Sequence, residues 1–327
     1  MPETGPSRRA VAVTGATGFL GRALSRYLSG RGWRVRAVVR PDSPRTPPVG
    51  SEPIIADLDR RQLTPAFADC SAVVHMAGLT RARSLEEYQR VNRDGARETA
   101  RAAADAGARL ILVSSQAAGG TGTATARRDE EDEPRPISDY GCSKLAGERV
   151  VSEIEGLEWS ILRPVSVYGP GDRDFAALFR AAARGFGPLV NAPGTPYSLI
   201  YVDDLVAAME LALEQPAAVG ETFFVGHPEV TTAEGIIRAF GAAAGRRPRL
   251  LKIPRWGLRL ATEASALGGM VRGRPGLLTR SRYRELSADG FVCSSEKIRR
   301  LLGFEAKVDL ATGARLSRAW YLQEESP

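Results

Sequence analysis

Lysine is nearly missing from this chain of 327 residues. Four of its 45 basic side chains are lysine (Lys144, Lys252, Lys297 and Lys307) and 41 are arginine, so a position that keeps a lysine is informative. Histidine is scarcer still, at His75 and His227 alone, and the three cysteines, Cys70, Cys142 and Cys293, are far apart with no CxxC pair. That pattern argues against a structural zinc and a disulfide framework; no metal site is expected, and a reducing cytoplasm is the expected compartment. No apolar run approaches the roughly 20 residues that span a bilayer. The first nine residues, MPETGPSRR, have no apolar h-region of a secretory signal. Integral membrane insertion is not expected, and residues 1–8 read as a disordered tail.

What is present describes a globular chain. A hydrophobic share of 43% is enough for a full core, and 25% charged residues argue against collagen-like, coiled-coil and wholly disordered chains. The net charge of +7 is concentrated: between Arg246 and Leu302 there are 14 Lys or Arg against four acids. A basic C-terminal part suits an anionic substrate, a membrane surface or nucleic acid. The stretch has no aromatic-interleaved basic repeat, which disfavours nucleic acid.

The first 165 residues or so alternate β-branched runs with Ala- and Arg-rich helical stretches. AVAVTG (10–15), VRAVVR (35–40), PIIADL (53–58), AVVHMAG (72–78), RLILVSS (109–115) and EWSILRPVSVYGPG (158–171) read as strands. Helices are expected from Leu20 to Ser29, across 85–106 and from Asp139 to Ile154, with a charged, proline-broken loop at 127–136. Nearly continuous apolar strands separated by helices predict a doubly wound parallel sheet covered on both faces. Residues 9–170 form the expected dinucleotide-binding domain. SLIYV (198–202), a helix from Asp203 and ETFFVG (221–226) look like returns to it at about 192–226, interleaved with a smaller, mostly helical substrate domain at 171–191 and 227–323.

The first strand runs into Gly15-Ala16-Thr17-Gly18-Phe19-Leu20-Gly21 and a helix. Glycines so spaced permit a tight turn, close approach of backbone N–H groups to a pyrophosphate, and close helix packing; the helix N-terminus favours the anion. About 20 residues on, the second strand ends in Arg40. An acid there would accept from the adenosine ribose, whereas an arginine suits a 2′-phosphate, so NADP(H) is favoured and NAD(H) stays open. A solvated strand-end arginine is the plainer reading. Asp57 and Leu58 should sit beside the adenine, and Ala77-Gly78 supplies small residues where the cofactor passes. His75 reads as a packed, hydrogen-bonded histidine.

Tyr140 and Lys144 lie four apart on one helix face, and Ser115 ends a strand at the carboxyl edge of the sheet, where ligands of open α/β folds bind. A tyrosine with an ordinary pKa near 10 needs help to act as a base; an ammonium and an oxidised nicotinamide both favour its phenolate. Lys144 is that ammonium and could also bond the nicotinamide ribose. Ser115 would donate to the substrate oxygen while Tyr140 exchanges its proton. With eight tyrosines and four lysines in the chain, the spacing is not an easy coincidence. Cys142, between the pair, points elsewhere and is assigned no chemistry.

Taken together, TGATGFLG, Asp57, HMAG, Asn92 in RVNRDGA, Ser115 in VSSQAAGG, YGCSK and LRPVSVYGPG resemble the extended short-chain dehydrogenase/reductase family, also called the NAD-dependent epimerase/dehydratase family. The resemblance spans roughly residues 9–215, with echoes in YVDDL (201–205) and SEKIRRLLGFEA (295–306). It implies that Asn92 helps organise the active site and that Arg163 to Val167, with Pro164, Val165 and Val167, line the nicotinamide. Members that act on nucleotide sugars often carry an Arg-Asp pair where this chain has Tyr197 and Ser198. The C-terminal part, through KIPRWGLRLATEASALGG (252–269) and RPGLLTRSRYREL (274–286), is similar to relatives that handle hydrophobic ketones and alcohols, such as dihydroflavonol reductases and 3β-hydroxysteroid dehydrogenases. The expected protein is an NADP(H)-dependent oxidoreductase of a ketone or alcohol, its small-molecule substrate hydrophobic or anionic. The alternatives are a nucleotide-sugar epimerase or dehydratase with tightly held NAD, and a catalytically silent dinucleotide-binding protein. A homodimer stays open. Apolar Ile253, Trp256, Leu260 and Leu267, with Arg255 and Arg259 between them, could form an interfacial helix for peripheral membrane contact; the favoured reading is a substrate-domain helix with a solvated basic face.

Overall fold

A computed structural model describes residues 9–190, 192–271 and 279–323. The expected disordered tail lies outside them, as do 272–278 within the second of the C-terminal segments named above. Strands β1 (Ala10–Thr14), β2 (Arg34–Val39), β3 (Ser51–Ile55), β4 (Ala72–His75), β5 (Arg109–Val113), β6 (Trp159–Pro164), β7 (Ser166–Tyr168), β8 (Phe186–Leu189), β9 (Pro196–Tyr201), β10 (Glu221–Val225), β11 (Val230–Thr232) and β12 (Arg249–Lys252) follow one another along the chain. Seven of them form one parallel sheet in the order β3-β2-β1-β4-β5-β6-β10. The order reverses between β1 and β4, which makes the carboxyl ends of these strands the place where such a sheet opens a crevice.

The doubly wound expectation holds in detail. Along β1, Val11 and Val13 join the core on one face and Ala10 and Ala12 the core on the other, because successive side chains of a strand alternate sides. Helix α1 (Phe19–Gly30) covers the first face. On the second lie α2 (Arg60–Ala66) and the long helix formed by α3 (Leu85–Gln89), a π-helical turn at Arg90–Asp94 and α4 (Gly95–Asp105). A short α5 (Gln116–Gly119) leaves β5, and α6 (Asp139–Ser152) follows the charged loop.

The remaining helices are α7 (Arg173–Ala183), α8 (Val202–Glu214), α9 (Ala233–Ala243), α10 (Arg255–Val271), α11 (Arg280–Leu286), α12 (Glu296–Leu302) and α13 (Leu310–Gln323). Of the segments expected to return to the first domain, β10 pairs with β6 and α8 packs its Leu205, Val206 and Met209 into the main core. The SLIYV strand does not join the main sheet. It forms β9 of a separate three-stranded sheet between β7 and β11, since β10 already occupies the free edge of β6. Tyr168, Phe175, Phe179, Tyr201, Phe240 and Tyr321 stack edge-on or tilted beside it. Asp204, in the YVDDL echo, accepts the Lys307 and Val308 N–H groups at 3.0 and 2.9 Å, which ties it to the end of the other echo.

Candidate active site

The glycine loop is shaped by contacts that no side chain could replace. Gly15 has φ +70°, and a Cβ there would lie 2.7 Å from the Ala77 nitrogen; one on Gly21 would strike the Gly15 carbonyl. The loop therefore presses on the 75–78 turn, where Thr14 Oγ1 accepts the Ala77 N–H at 3.3 Å and bonds His75 Nδ1 at 2.7 Å. Burial holds the His75 pKa down at about 3, with the Lys144 charge helping, so the ring is neutral. It is the packed histidine the sequence suggested. Gly18 begins α1 without any side-chain cap, and the first turn carries no acid. These features fit a pyrophosphate: an uncapped helix end, a backbone cradle and no competing carboxylate.

Around that cradle, Phe19 and Leu20 are half-buried, and Phe19 fills the space against Gly171. Arg40 stands exposed just beyond β2. Two arginines that sequence reading passed over meet the loop: Arg22 Nε and Arg45 Nη1 both donate to the Thr17 carbonyl, at 3.2 and 3.3 Å. In a chain with 41 arginines nothing local marked them. Asp57 is exposed, its N–H donated to Gln62 Oε1, and Leu58 packs against Gly95. Pro164 and Val165 are buried at the carboxyl end of β6, and Val167 is half-buried on β7.

Ser115 caps α5 by accepting the Ala117 N–H at 3.2 Å, and its side chain also bonds that of Tyr140. Lys144 is buried one helical turn on, and its Nζ donates to the Val113 carbonyl at 2.7 Å. Sequence and structure agree that Ser115, Tyr140 and Lys144 converge. They differ on the electrostatics. Burial first, and the Glu285 carboxylate second, push the Tyr140 phenol up to about 12, against the pull of Ser115 and Arg282. Burial also brings Lys144 down to about 8, opposed by Glu148. Lys144 is not among the groups that act on the phenol, so the phenolate-favouring role expected of it does not appear here, and Tyr140 holds its proton.

Asn92 sits in the π-helical turn, a feature frequent at functional sites. Its amide donates to the Leu79 carbonyl at 3.0 Å and to Ser143 Oγ at 2.9 Å, and its Oδ1 accepts the Leu79 N–H at 2.7 Å. It thus bolts the 75–80 loop to α6. Behind Lys144, Glu148 binds Arg163 through Nε at 3.0 Å and Nη2 at 2.7 Å, and accepts from Ser114. Glu148 continues the four-residue spacing of Tyr140 and Lys144, a signal that the sequence did carry.

Helix α11 arrives on the same site from far along the chain. Ser281 Oγ accepts the Tyr140 N–H at 3.2 Å, and Ser138, the N-cap of α6, donates to Glu285 Oε1 at 2.6 Å. Tyr88 packs its ring 6.0 Å from that of Tyr140. Because Glu285 raises the phenol, Glu285→Gln should move the Tyr140 ionisation to lower pH. The alkaline fall of the reduction rate, and the alkaline rise of the oxidation rate, should both shift acidwards in pH–rate profiles. Unchanged profiles would mean that the carboxylate does not act on Tyr140.

Residues 11–226 match the NAD dependent epimerase/dehydratase family. The chain is 35% identical over 319 residues to a ceramide reductase of Caulobacter vibrioides (strain NA1000 / CB15N), covering 96% of this chain and 95% of that one. It is 30% identical to a UDP-glucose 4-epimerase of Vibrio cholerae over 77% of this chain and 81% of the other. Among solved structures, MoeE5 in complex with UDP-glucuronic acid and NAD superposes with a TM-score of 0.77 at 26% identity, covering 96% of this chain and 99% of that one.

Proposed function

The chain belongs to the NAD dependent epimerase/dehydratase family, and within it we propose a reductase that uses NADP(H) to convert the ketone of a long-chain N-acylamino ketone into the alcohol of a ceramide-like product, the amide being carried through unchanged. It is an enzyme of nicotinamide-dependent hydride transfer, of the extended short-chain dehydrogenase/reductase type. A bound dinucleotide supplies the hydride that reaches the substrate carbon. The protein does the rest: Ser115 would donate a hydrogen bond to the carbonyl oxygen, Tyr140 would deliver the proton to that oxygen, and Lys144, anchored on Val113, would hold the cofactor ribose.

One observation carries the reductive reading. Tyr140 meets Ser115 one helical turn from the buried Lys144, whose Nζ is fixed on the Val113 carbonyl at 2.7 Å, so a protonated hydroxyl, a second hydroxyl and an ammonium share the carboxyl edge of the sheet. Two more support the substrate class. The likeness to the ceramide reductase runs through the C-terminal part as well as the sheet. Where many nucleotide-sugar enzymes carry Arg-Asp, Ser198 is buried and accepts the Cys293 N–H at 3.3 Å, a packing role.

Two measurements test this. The purified enzyme should consume NADPH with a long-chain α-(N-acylamino) ketone and should not interconvert UDP-glucose and UDP-galactose. Tightly held NAD together with sugar epimerisation would overturn the proposal. For cofactor choice, Arg40→Asp should weaken NADPH about 10- to 100-fold, the loss of a charge-assisted pairing with the 2′-phosphate, while NADH changes much less. Equal effects on both cofactors in a binding titration would remove Arg40 from that role.

A further inference from the structure

The C-terminal basic stretch has a feature that hydride transfer does not use. From Gly235 to Thr262 the chain has seven Lys or Arg and no acid. Within it, β12 exposes Arg249, Leu251 and Lys252, and pairs with β8 so that Arg249 stands opposite Phe186, itself 53% exposed. The chain then enters α10, which turns Leu258 and Thr262 inward and leaves Trp256 at 69% and Leu260 at 63% exposure, one turn apart. Arg280 holds Glu263 at 2.9 Å, fixing α10 to α11 and with it the outward stripe. Arg246, Arg247 and Arg259 are exposed as well. The favoured sequence reading expected a basic face to meet solvent here; the tryptophan and leucine meet it as well.

We propose that β12 and the first turns of α10, with Phe186, form a docking surface for an anionic lipid bilayer. The chemistry selects this occupant. An indole beside aliphatic side chains inserts at the headgroup boundary, and a cationic surround, whose bordering acids Glu234 and Glu263 are paired with Arg238 and Arg280, meets lipid phosphates. A second copy of the chain would oppose the same cations to one another. The surface stands apart from the substrate reading, although a lipid ketone would be reached from such a surface.

Cosedimentation with vesicles tests it on the full chain. Vesicles of phosphatidylcholine with about a third phosphatidylglycerol should bind the protein about tenfold or more above phosphatidylcholine alone, and added salt should weaken the binding. Trp256→Ser with Leu260→Ser should lower binding by about tenfold or more, with NADPH affinity unchanged as the control for folding. Should that pair fail to fold, Lys252→Glu with Arg259→Glu should give the same loss. No binding to either vesicle, binding indifferent to both charge and salt, or a dimer in sedimentation that Trp256→Ser dissolves would each overturn the surface. Vesicle binding without ketone reduction would instead defeat the substrate reading alone.

Discussion

Tyr140→Phe should lower turnover by about 10²–10⁴-fold, the usual share of a positioned proton carrier, while fold and cofactor affinity stay intact. Only a hydroxyl is deleted; the ring keeps its packing on Tyr88 and the backbone N–H its bond to Ser281. Lys144→Ala should damage both turnover and cofactor binding, since the ammonium is fixed at the carboxyl end of β5 by Val113. The alkaline limb of the pH–rate profile should vanish with the hydroxyl. Near-normal turnover of Tyr140→Phe, or a limb that survives it, would require another acid in the site.

Glu148→Ala should cost about 3–5 kcal/mol of stability, read from the shift of a denaturant midpoint, because it strands the Arg163 guanidinium in the core. Both side chains are about 5% exposed, and the pair is also bonded to Ser114. Lys144 should lose its proton at a still lower pH than about 8, since the carboxylate that opposes its desolvation is gone. Glu148→Leu combined with Arg163→Met should recover most of the stability, as apolar pairs of similar volume replace buried ion pairs with little loss. A single variant as stable as the parent would show that water reaches Arg163.

The sequence by itself determined the parallel sheet, the glycine loop and the Ser115, Tyr140, Lys144 set. Each rests on short-range rules: apolar runs make buried strands, glycine spacing makes a backbone cradle, and a four-residue interval puts two side chains on one helix face. Glu148 obeys that same interval, and it becomes meaningful only when Arg163 is brought beside it from β6. Tertiary structure alone decided what faces these elements. It buried Tyr140 and placed Ser281 and Glu285 on the N-terminal end of α6, some 140 residues away in sequence; the burial first and Glu285 second raised Tyr140 where local reading expected Lys144 to lower it. It left β9 outside the main sheet because β10 fills that edge. Periodicity could show that α10 has an apolar side; it could not show that Leu258 and Thr262 would be covered while Trp256 and Leu260 stayed in the open. Which face of an element is covered depends on partners distant in sequence, and an element's own residues do not name them.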